Sequence, residues 1–257
     1  MVEGRHKGRV VLVTGAGSGI GAAIAAQYAA EGASLALVDV VESALDEQAA
    51  TLRAQGAQVV TGVCDVADFA ACEQTFEALV QALGAPIDTL INNAGISPKV
   101  NGKPANFWEM APEEWLRVVG VNLNGAFNWA RVVTPSMVAA KRGRIVNMSS
   151  VAAKFYVAFT AAHYGTTKAA LIGFTRDLAG ELGPHGITVN AIAPGRIDTP
   201  LMRTASATTN EAVIGETPLR RLGSPAEVAE MSCFLTAPES SFITGQVVDV
   251  AGGWLMT

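Results

Sequence analysis

Cysteine and histidine are scarce in this sequence, which has three of each. Cys64, Cys72 and Cys233 show none of the short spacings that are typical of zinc sites, and the histidines are equally scattered, at positions 6, 163 and 185. An odd number of cysteines also gives no disulfide framework. We therefore interpret them as buried free thiols of a reducing, cytoplasmic compartment, and we predict no metal site.

Charged residues are also few, at 16% of the chain, and the formal net charge is −5. The one basic cluster, Lys141, Arg142 and Arg144, follows a predicted helix, where cations suit the helix dipole. The sequence thus lacks the electrostatic footprint of a nucleic-acid-binding protein.

Long apolar runs are missing as well. Every apolar stretch is interrupted before the ~20 residues that a bilayer span needs. The apolar run at 10–13, which follows a basic N-terminal segment, is too short for the core of a secretory signal, about 7 to 15 residues. We predict neither a nucleic-acid nor a membrane partner.

Hydrophobic residues make up 50% of the chain, which is enough for a large core. Short runs rich in Val, Ile and Leu alternate with longer segments of helical pattern. Because these runs are apolar throughout, they are typical of strands that are covered on both faces. Strands are predicted at 9–15, 34–40, 57–66, 88–95, 143–150, 186–195 and 246–253, and helices near 19–31, 42–55, 68–83, 112–140, 163–183 and 225–236.

The regular alternation of strand and helix predicts an α/β fold of the Rossmann type. We expect a doubly wound sheet of about seven parallel strands, with helices on both faces, formed by one domain over residues 1–257. Long irregular segments in compact α/β domains are usually functional. We interpret three of them as substrate loops, near 96–111, 151–163 and 196–223.

A glycine-rich turn, TGAGSGIG at 14–21, follows the first predicted strand and opens the first helix. Such a turn lets the backbone approach a phosphate and directs N–H groups and the helix dipole at it. On its own it is equally consistent with a turn that binds nothing. A GxGxxA pattern beginning at Gly17 also matches, but the GxxxGxG register suits the adjacent strand and helix better.

An acidic residue, Asp39, ends the second predicted strand, 18 residues beyond Gly21. In dinucleotide-binding folds an acid about 20 residues after the glycines accepts from the ribose 2′-hydroxyl and repels a 2′-phosphate. Neither the glycine turn nor the turn after Asp39 contains a basic residue that could neutralise a 2′-phosphate. We therefore predict NAD rather than NADP, although Asp39 could instead cap a helix, a role open to Glu42 or Ser43 as well.

Two further strand ends carry polar residues that should face the same crevice, because ligands collect beyond the carboxyl ends of parallel strands. Asp65, beside Val66, is placed to accept from an adenine amino group. The segment Asn93, Ala94 and Gly95 is expected to line the adenosine side.

A phenol and an amine stand four residues apart in HYGTTK at 163–168. On a helix Tyr164 and Lys168 would share one face. Without further context the pair is explained as well by a tyrosine whose hydroxyl reaches the surface and a lysine that extends past it.

Taken together and in this order, these motifs resemble the short-chain dehydrogenase/reductase family along almost the entire chain. The matching segments are TGAGSGIG, NNAG at 92–95, VNLNG at 121–125, NMSS at 147–150, the Tyr164–Lys168 pair and PGRIDTP at 194–200. Ser150 precedes Tyr164 by 14 residues where 13 is commoner. We assign Ser150 the family's serine role and keep Ser149 as a minor rival.

The resemblance implies a site for hydride and proton transfer. Tyr164 would be the general acid/base, and Lys168 with a bound nicotinamide would lower its pKa from about 10. Ser150 would hold the substrate oxygen, and Asn122 would anchor a water that links Lys168 to solvent. The implied NAD-binding residues are Gly15, Ser18, Gly19, Ile20, Gly21, Asp39, Asp65, Val66, Asn93, Ala94, Gly95, Tyr164, Lys168, Pro194, Gly195, Ile197 and Thr199.

We therefore expect an NAD-dependent oxidoreductase that interconverts a secondary alcohol and its ketone. The alternatives are a 3-oxoacyl thioester reductase, which usually prefers NADPH and is therefore disfavoured by Asp39, and a catalytically silent nucleotide-binding regulator.

The substrate pocket is expected to be walled by segments that contain Phe155, Tyr156 and Phe159, although such aromatics are more often plain packing. Lys154 and Arg203 are candidates for binding an anion, and solvated surface positions explain them equally well. Surplus apolar residues on the predicted helices 112–140 and 163–183 favour a homotetramer, as is common in the family.

Overall fold

The computed structural model describes residues 4–99, 102–203 and 207–256. Its centre is a parallel sheet of seven strands in the order β3-β2-β1-β4-β5-β6-β7. The predicted fold class is confirmed. The strands are β1 Val10–Thr14, β2 Ser34–Asp39, β3 Val59–Val63, β4 Thr89–Asn92, β5 Gly143–Met148, β6 Ile187–Pro194 and β7 Val247–Val250.

The helices follow the strands as expected for a doubly wound fold. They are α1 Gly19–Ala30, α2 Glu42–Ala54, α3 Phe69–Leu83, α4 Pro112–Val119, α5 Gly125–Ala140, α6 Ala162–Leu182, α7 Pro200–Arg203, α8 Ala207–Glu216 and α9 Pro225–Thr236. Short 3-10 turns occur at Phe107–Glu109, Val151–Ala153, Gly183–His185 and Pro238–Ser240. Among the described residues, no helix is both long and apolar enough to cross a bilayer.

The core forms one layer on each face of the sheet. Val11 and Val13 of β1 pack with residues of α1, α2 and α9, whereas Val10 and Leu12 face the layer formed with α3, α5 and α6. Successive side chains of a strand point to opposite faces, and here both faces are covered. This is why the strand sequences are apolar without alternation.

The crevice of the fold follows from the strand order. β1 pairs with β2 on one side and with β4 on the other. The strand order therefore reverses between β1 and β4, with β2 and β3 on one side and β4 to β7 on the other. In open α/β sheets ligands bind at this switch point, beyond the carboxyl ends of the strands. The segments after β1, β2, β3 and β4 are therefore brought to one edge.

The helical segment predicted near 112–140 is found with those bounds, as α4, a π-helical segment at Gly120–Asn124 and α5. One prediction is wrong. The segment 196–223, expected to be irregular, contains α7 and α8 within its described residues. The sequence of α8, ATTNEAVIGE, shows no helical pattern, because its apolar residues are distributed around the helix and form no clear apolar face.

A buried polar network fixes the start of the chain to α1 and α9. His6 Nδ1 lies 2.8 Å from Glu31 Oε2, and His6 Nε2 lies 3.0 Å from Thr236 Oγ1. The Tyr28 hydroxyl lies 2.8 Å from the same Thr236 oxygen. Burial lowers the pKa of His6, against the opposing influence of Glu31. The three cysteines are free and buried, as predicted.

Candidate active site

A cavity of about 680 Å³ opens beyond the carboxyl ends of the strands. It is lined by nearly all of the residues singled out from the sequence. Those in the lining are Gly15, Ser18, Gly19, Ile20, Asp39, Asp65, Val66, Asn93, Ala94, Gly95, Ser150, Tyr164, Lys168, Pro194, Gly195, Ile197 and Thr199. Gly21 and Asn122 lie behind this surface and act on its shape.

The glycine turn between β1 and α1 has the geometry of a phosphate cradle. Gly15 and Gly19 have φ angles of 65° and 56°, which favour glycine. A side chain at Gly21 would overlap the carbonyl oxygen of Gly15. Asn93 Nδ2 donates to the carbonyls of Thr14 and Gly15 at 2.9 and 3.1 Å, so this side chain braces the turn. The backbone is held where a phosphate could reach it.

Asp39 stands opposite this turn at the end of β2. Its Oδ2 accepts from the backbone N–H of Gly17 at 2.9 Å, and its Oδ1 accepts from those of Val40 and Val41 at 2.8 and 3.1 Å. The N-cap position of α2 is Val41, which makes no capping hydrogen bond through its side chain. Asp39 is therefore not a helix cap, and its carboxylate faces the cavity as a fixed negative charge.

Asp65 and Val66 form the next part of the rim, after β3. Asp65 Oδ1 accepts from the backbone N–H of Ala67 at 2.9 Å, which orders the turn. The Val66 carbonyl accepts from Asn128 Nδ2 at 2.8 Å, and this bond joins the rim to α5.

Tyr164 and Lys168 lie near the start of α6 on one face of the helix. Lys168 Nζ is 5.7 Å from the centroid of the Tyr164 ring and donates to the Met148 carbonyl at 2.7 Å. Only 4% of Lys168 is exposed. Burial lowers its pKa to about 8, because the ammonium loses hydration without gaining a carboxylate partner.

The pKa of Tyr164 is raised in the protein itself. Burial is the largest cause, opposed by a hydrogen bond with Ser150 and by the positive charge of Arg196. The lowering expected from Lys168 together with a nicotinamide stays a prediction for the complex.

The two candidate serines have different partners. Ser150 Oγ accepts from the backbone N–H of Ala152 at 3.2 Å and is hydrogen-bonded to Tyr164. Ser149 Oγ donates to the Lys168 carbonyl at 2.8 Å and is 3% exposed, so it is committed to the helix backbone. The geometry favours Ser150 over Ser149.

Asn122 lies at the centre of the π-helical segment, a feature that often marks functional sites. Its Oδ1 accepts from the Ile96 N–H at 2.7 Å, and its Nδ2 donates to the Ile96 carbonyl at 3.0 Å. A side chain at Gly95 would lie 3.2 Å from Lys168 Nζ and 3.4 Å from Asn122 Oδ1. The amide thus stands close to the lysine and fixes the loop that covers it.

The substrate half of the cavity differs from the predicted one. Phe159 lines it, and its ring centroid lies 6.0 Å from that of Trp254, a residue that the sequence analysis missed because it is distant in the chain. Phe155 packs on the same indole at 5.3 Å. Tyr156 is 84% exposed and does not line the cavity.

Of the two cations expected to bind an anion, the structure describes the side chain of only one. Lys154 lies 2.7 Å from a carboxylate oxygen of Asp249, so its charge is paired. The Arg203 side chain lies outside the described residues. Three cations that do line the cavity were not selected from the sequence: Lys99, Arg117 and Arg196.

Comparison with known proteins agrees with this architecture. A family model described as enoyl-(acyl carrier protein) reductase matches residues 15–255. A 3-oxoacyl-[acyl-carrier protein] reductase from Brucella melitensis, solved with bound NAD, is 49% identical, with a TM-score of 0.93 over 100% of this chain and 94% of that one.

More distant relatives are similar over nearly the whole chain. A 3-oxoacyl-[acyl-carrier-protein] reductase from Thermotoga maritima is 39% identical, over 97% of this chain and 98% of its own. The structure of a putative gluconate dehydrogenase from Agrobacterium tumefaciens is 30% identical, with a TM-score of 0.92 over 98% of both chains. The chain belongs to the short-chain dehydrogenase/reductase family of oxidoreductases.

Proposed function

We propose that the protein is an NAD(H)-dependent reductase of 3-oxoacyl thioesters, which it interconverts with the 3-hydroxyacyl forms. The observation that carries this proposal is that Tyr164, Ser150 and Lys168 line the same cavity as the glycine turn and Asp39. The names of the relatives from Brucella and Thermotoga support the substrate class.

The cofactor preference does not oppose this substrate. Asp39 weighs against a thioester reductase only if such enzymes require NADPH. The Brucella relative is described as a 3-oxoacyl reductase and was solved with NAD. The two features therefore occur together in a protein with 49% identity, and the thioester function becomes a better proposal than an unspecified secondary alcohol.

The residues around the turn fit a dinucleotide. Gly21 leaves no space for a side chain at the turn, and Asp39 presents a carboxylate where a 2′-phosphate would be repelled. A bound NADH supplies a hydride to the carbonyl carbon. The Tyr164 hydroxyl donates its proton to the carbonyl oxygen as the hydride arrives, and Ser150 stabilises the negative charge on that oxygen.

Lys168 acts on this proton transfer from one helical turn away. Its ammonium favours the phenolate that Tyr164 becomes after it has donated its proton. In the reverse direction the phenolate accepts the alcohol proton. Asn122 holds the backbone of Ile96 beside the lysine, and its expected role of anchoring a water that links Lys168 to solvent stays part of the proposal.

The proposal is tested with acetoacetyl thioesters and NADH or NADPH, followed by absorbance of the reduced cofactor. We expect turnover with NADH and a kcat/KM at least about tenfold lower with NADPH, since tenfold corresponds to only 1.4 kcal/mol. Better turnover of polyols or cyclic alcohols would favour the more general alcohol dehydrogenase. No turnover of any alcohol or ketone, despite NADH binding, would favour the regulator.

We further propose that the active form is a homotetramer in the cytoplasm. Phe127 of α5 is 50% exposed, and a second copy would cover it. Free cysteines suit a reducing compartment. Light scattering after size exclusion tests the assembly, and Phe127→Asp is expected to yield a smaller species. A monomeric wild type would contradict the proposal.

A further inference from the structure

Two cations face the substrate half of the cavity without a carboxylate partner among the described residues. Arg196 follows β6 in the segment PGRIDTP, and Lys99 lies in the loop after β4. Both are half-buried. Partly buried charges without partners are unfavourable, so they usually indicate a ligand of opposite charge.

Arg196 is held in a fixed orientation. Its Nε and Nη2 both donate to Asn210 Oδ1, at 3.0 and 2.7 Å, and its Cζ lies 4.6 Å from the centroid of the Phe159 ring. A guanidinium has five N–H groups, and these two bonds leave three of them, including both on Nη1. The free groups form a planar pair of donors of the kind that binds a carboxylate through both oxygens.

Lys99 adds a second positive charge beside the first. Burial lowers its pKa, and the charge of Arg196 lowers it further. Both cations line the same cavity, and their charges repel each other there. An anion bound between them would remove this repulsion and would replace the hydration that both have lost.

Arg196 lies on the substrate side of the cavity. Its guanidinium stands over Phe159, whereas Asp39 and Asp65 line the cavity at the ends of β2 and β3. The charge of Arg196 also acts on the Tyr164 hydroxyl, which places the guanidinium near the reacting oxygen. A carboxylate on the substrate would therefore bind on the far side of the reacting carbon from the nucleotide.

We propose that Arg196 and Lys99 form a carboxylate subsite, and that the protein also interconverts free hydroxy acids and oxo acids. The inference rests on the proposed function for its cofactor and for Tyr164. In the oxidative direction the C–H bond gives its hydride to NAD⁺ and the hydroxyl gives its proton to Tyr164. The products are an oxo acid, NADH and a proton released to solvent.

Asn210 is a positioning residue for this subsite. Its side-chain oxygen accepts from Nε and Nη2 of Arg196, so it orients the guanidinium while both N–H groups of Nη1 remain available. Its replacement by Ala should raise KM for a carboxylate substrate more than it lowers kcat, because the arginine remains present but is no longer oriented.

The test compares free acids that carry the hydroxyl at carbon 2, 3 or 4 with their methyl esters, using NAD⁺. For the acid with the best spacing we expect a kcat/KM at least about tenfold above that of its ester, the effect of one charge-assisted contact. Arg196→Gln should bring this ratio close to one, and Lys99→Gln should lower it less. Arg176→Gln, an exposed change on α6, is the charge-matched control and should leave the ratio as it is.

A binding measurement separates this inference from the proposed function. In Tyr164→Phe, which should not turn over, calorimetry with NAD⁺ present should detect the acid, and the additional change Arg196→Gln should abolish the heat signal. Turnover of thioesters and esters but not of acids, with no acid binding, would overturn the subsite alone. Turnover of acids but not of thioesters would overturn the proposed function and leave the subsite standing.

Discussion

The carboxylate of Asp39 bonds to the backbone N–H of Gly17 at 2.9 Å and thereby joins the end of β2 to the glycine turn. Its other oxygen accepts from two successive backbone N–H groups, so the whole group has one fixed orientation. A carboxylate held this way still has oxygen lone pairs left for hydroxyl donors. We therefore expect the residue that shapes the turn also to set the preference between NAD and NADP.

Asp39→Ser should change the cofactor preference. A hydrogen bond to a charged group contributes about 1.5–3 kcal/mol, so we expect kcat/KM for NAD to fall by roughly 10- to 100-fold. The value for NADP should rise, because the charge that repels its 2′-phosphate is gone. Initial rates with both cofactors check this. Asp46→Asn, an exposed change on α2, is the control, and an unchanged preference in Asp39→Ser would show that the discrimination lies elsewhere.

Tyr164→Phe should abolish most of the activity while leaving the cofactor bound. The change removes only the hydroxyl that transfers the proton, and general acid–base catalysis contributes about 10²- to 10⁴-fold. We expect kcat to fall within that range. NADH binding, followed by its fluorescence, should change by less than about threefold, or 0.65 kcal/mol. A residual kcat above a tenth of the wild-type value would mean that another group moves the proton.

The buried ammonium of Lys168 should lower the free energy of unfolding at neutral pH, although we expect activity to require this residue. Its pKa in the folded protein is about 8, below the unfolded value of 10.5, so the unfolded chain binds more protons between these values. Stability therefore rises with pH across this window and is reduced below it. At pH 7 we expect Lys168→Met to be inactive but to melt at a higher temperature than the wild type.

The difference in melting temperature between Lys168→Met and the wild type should depend on pH, and this dependence is the decisive measurement. As the pH approaches 9.5, the wild-type lysine loses its proton in the folded state, and the two melting temperatures should converge. Differential scanning calorimetry at pH 7, 8.5 and 9.5 measures this trend. A variant that is less stable than the wild type at every pH would show that the hydrogen bond to the Met148 carbonyl outweighs the burial of the charge.

The sheet and the nucleotide half of the cavity were predictable because their signals are local. Val, Ile and Leu in short runs indicate strands that are buried on both faces, and the glycine turn and Asp39 each stand directly at a strand end. The structure places each of these residues around the crevice at the switch point of the sheet.

The substrate half depends on contacts between distant segments, and no single stretch encodes them. Lys154 is paired with Asp249, 95 positions away, and Arg196 is oriented by Asn210 on a helix without a clear apolar face. The π-helical segment at Asn122 was also missed, because one additional residue in a turn leaves the apolar pattern of the flanking helices nearly unchanged.

Tyr28→Phe should destabilise the protein without affecting the active site. The Tyr28 hydroxyl lies 2.8 Å from Thr236 Oγ1 and donates to the Ser232 carbonyl at 3.1 Å, in a region with no solvent exposure at Tyr28. Its loss leaves buried partners unsatisfied, which costs about 1–3 kcal/mol. For a chain of this size each kcal/mol lowers the melting temperature by about 2–4 °C.

Tyr156→Phe provides the matched control for this prediction, because the Tyr156 side chain is mostly solvent-exposed. The same chemical change at an exposed position should alter the free energy of unfolding by less than about 0.5 kcal/mol. Thermal unfolding of both variants, with KM for NADH measured in parallel, separates the network from the active site. Equal melting temperatures for the two variants would mean that a water replaces the buried hydroxyl, and that His6 and Thr236 hold α1 and α9 together without Tyr28.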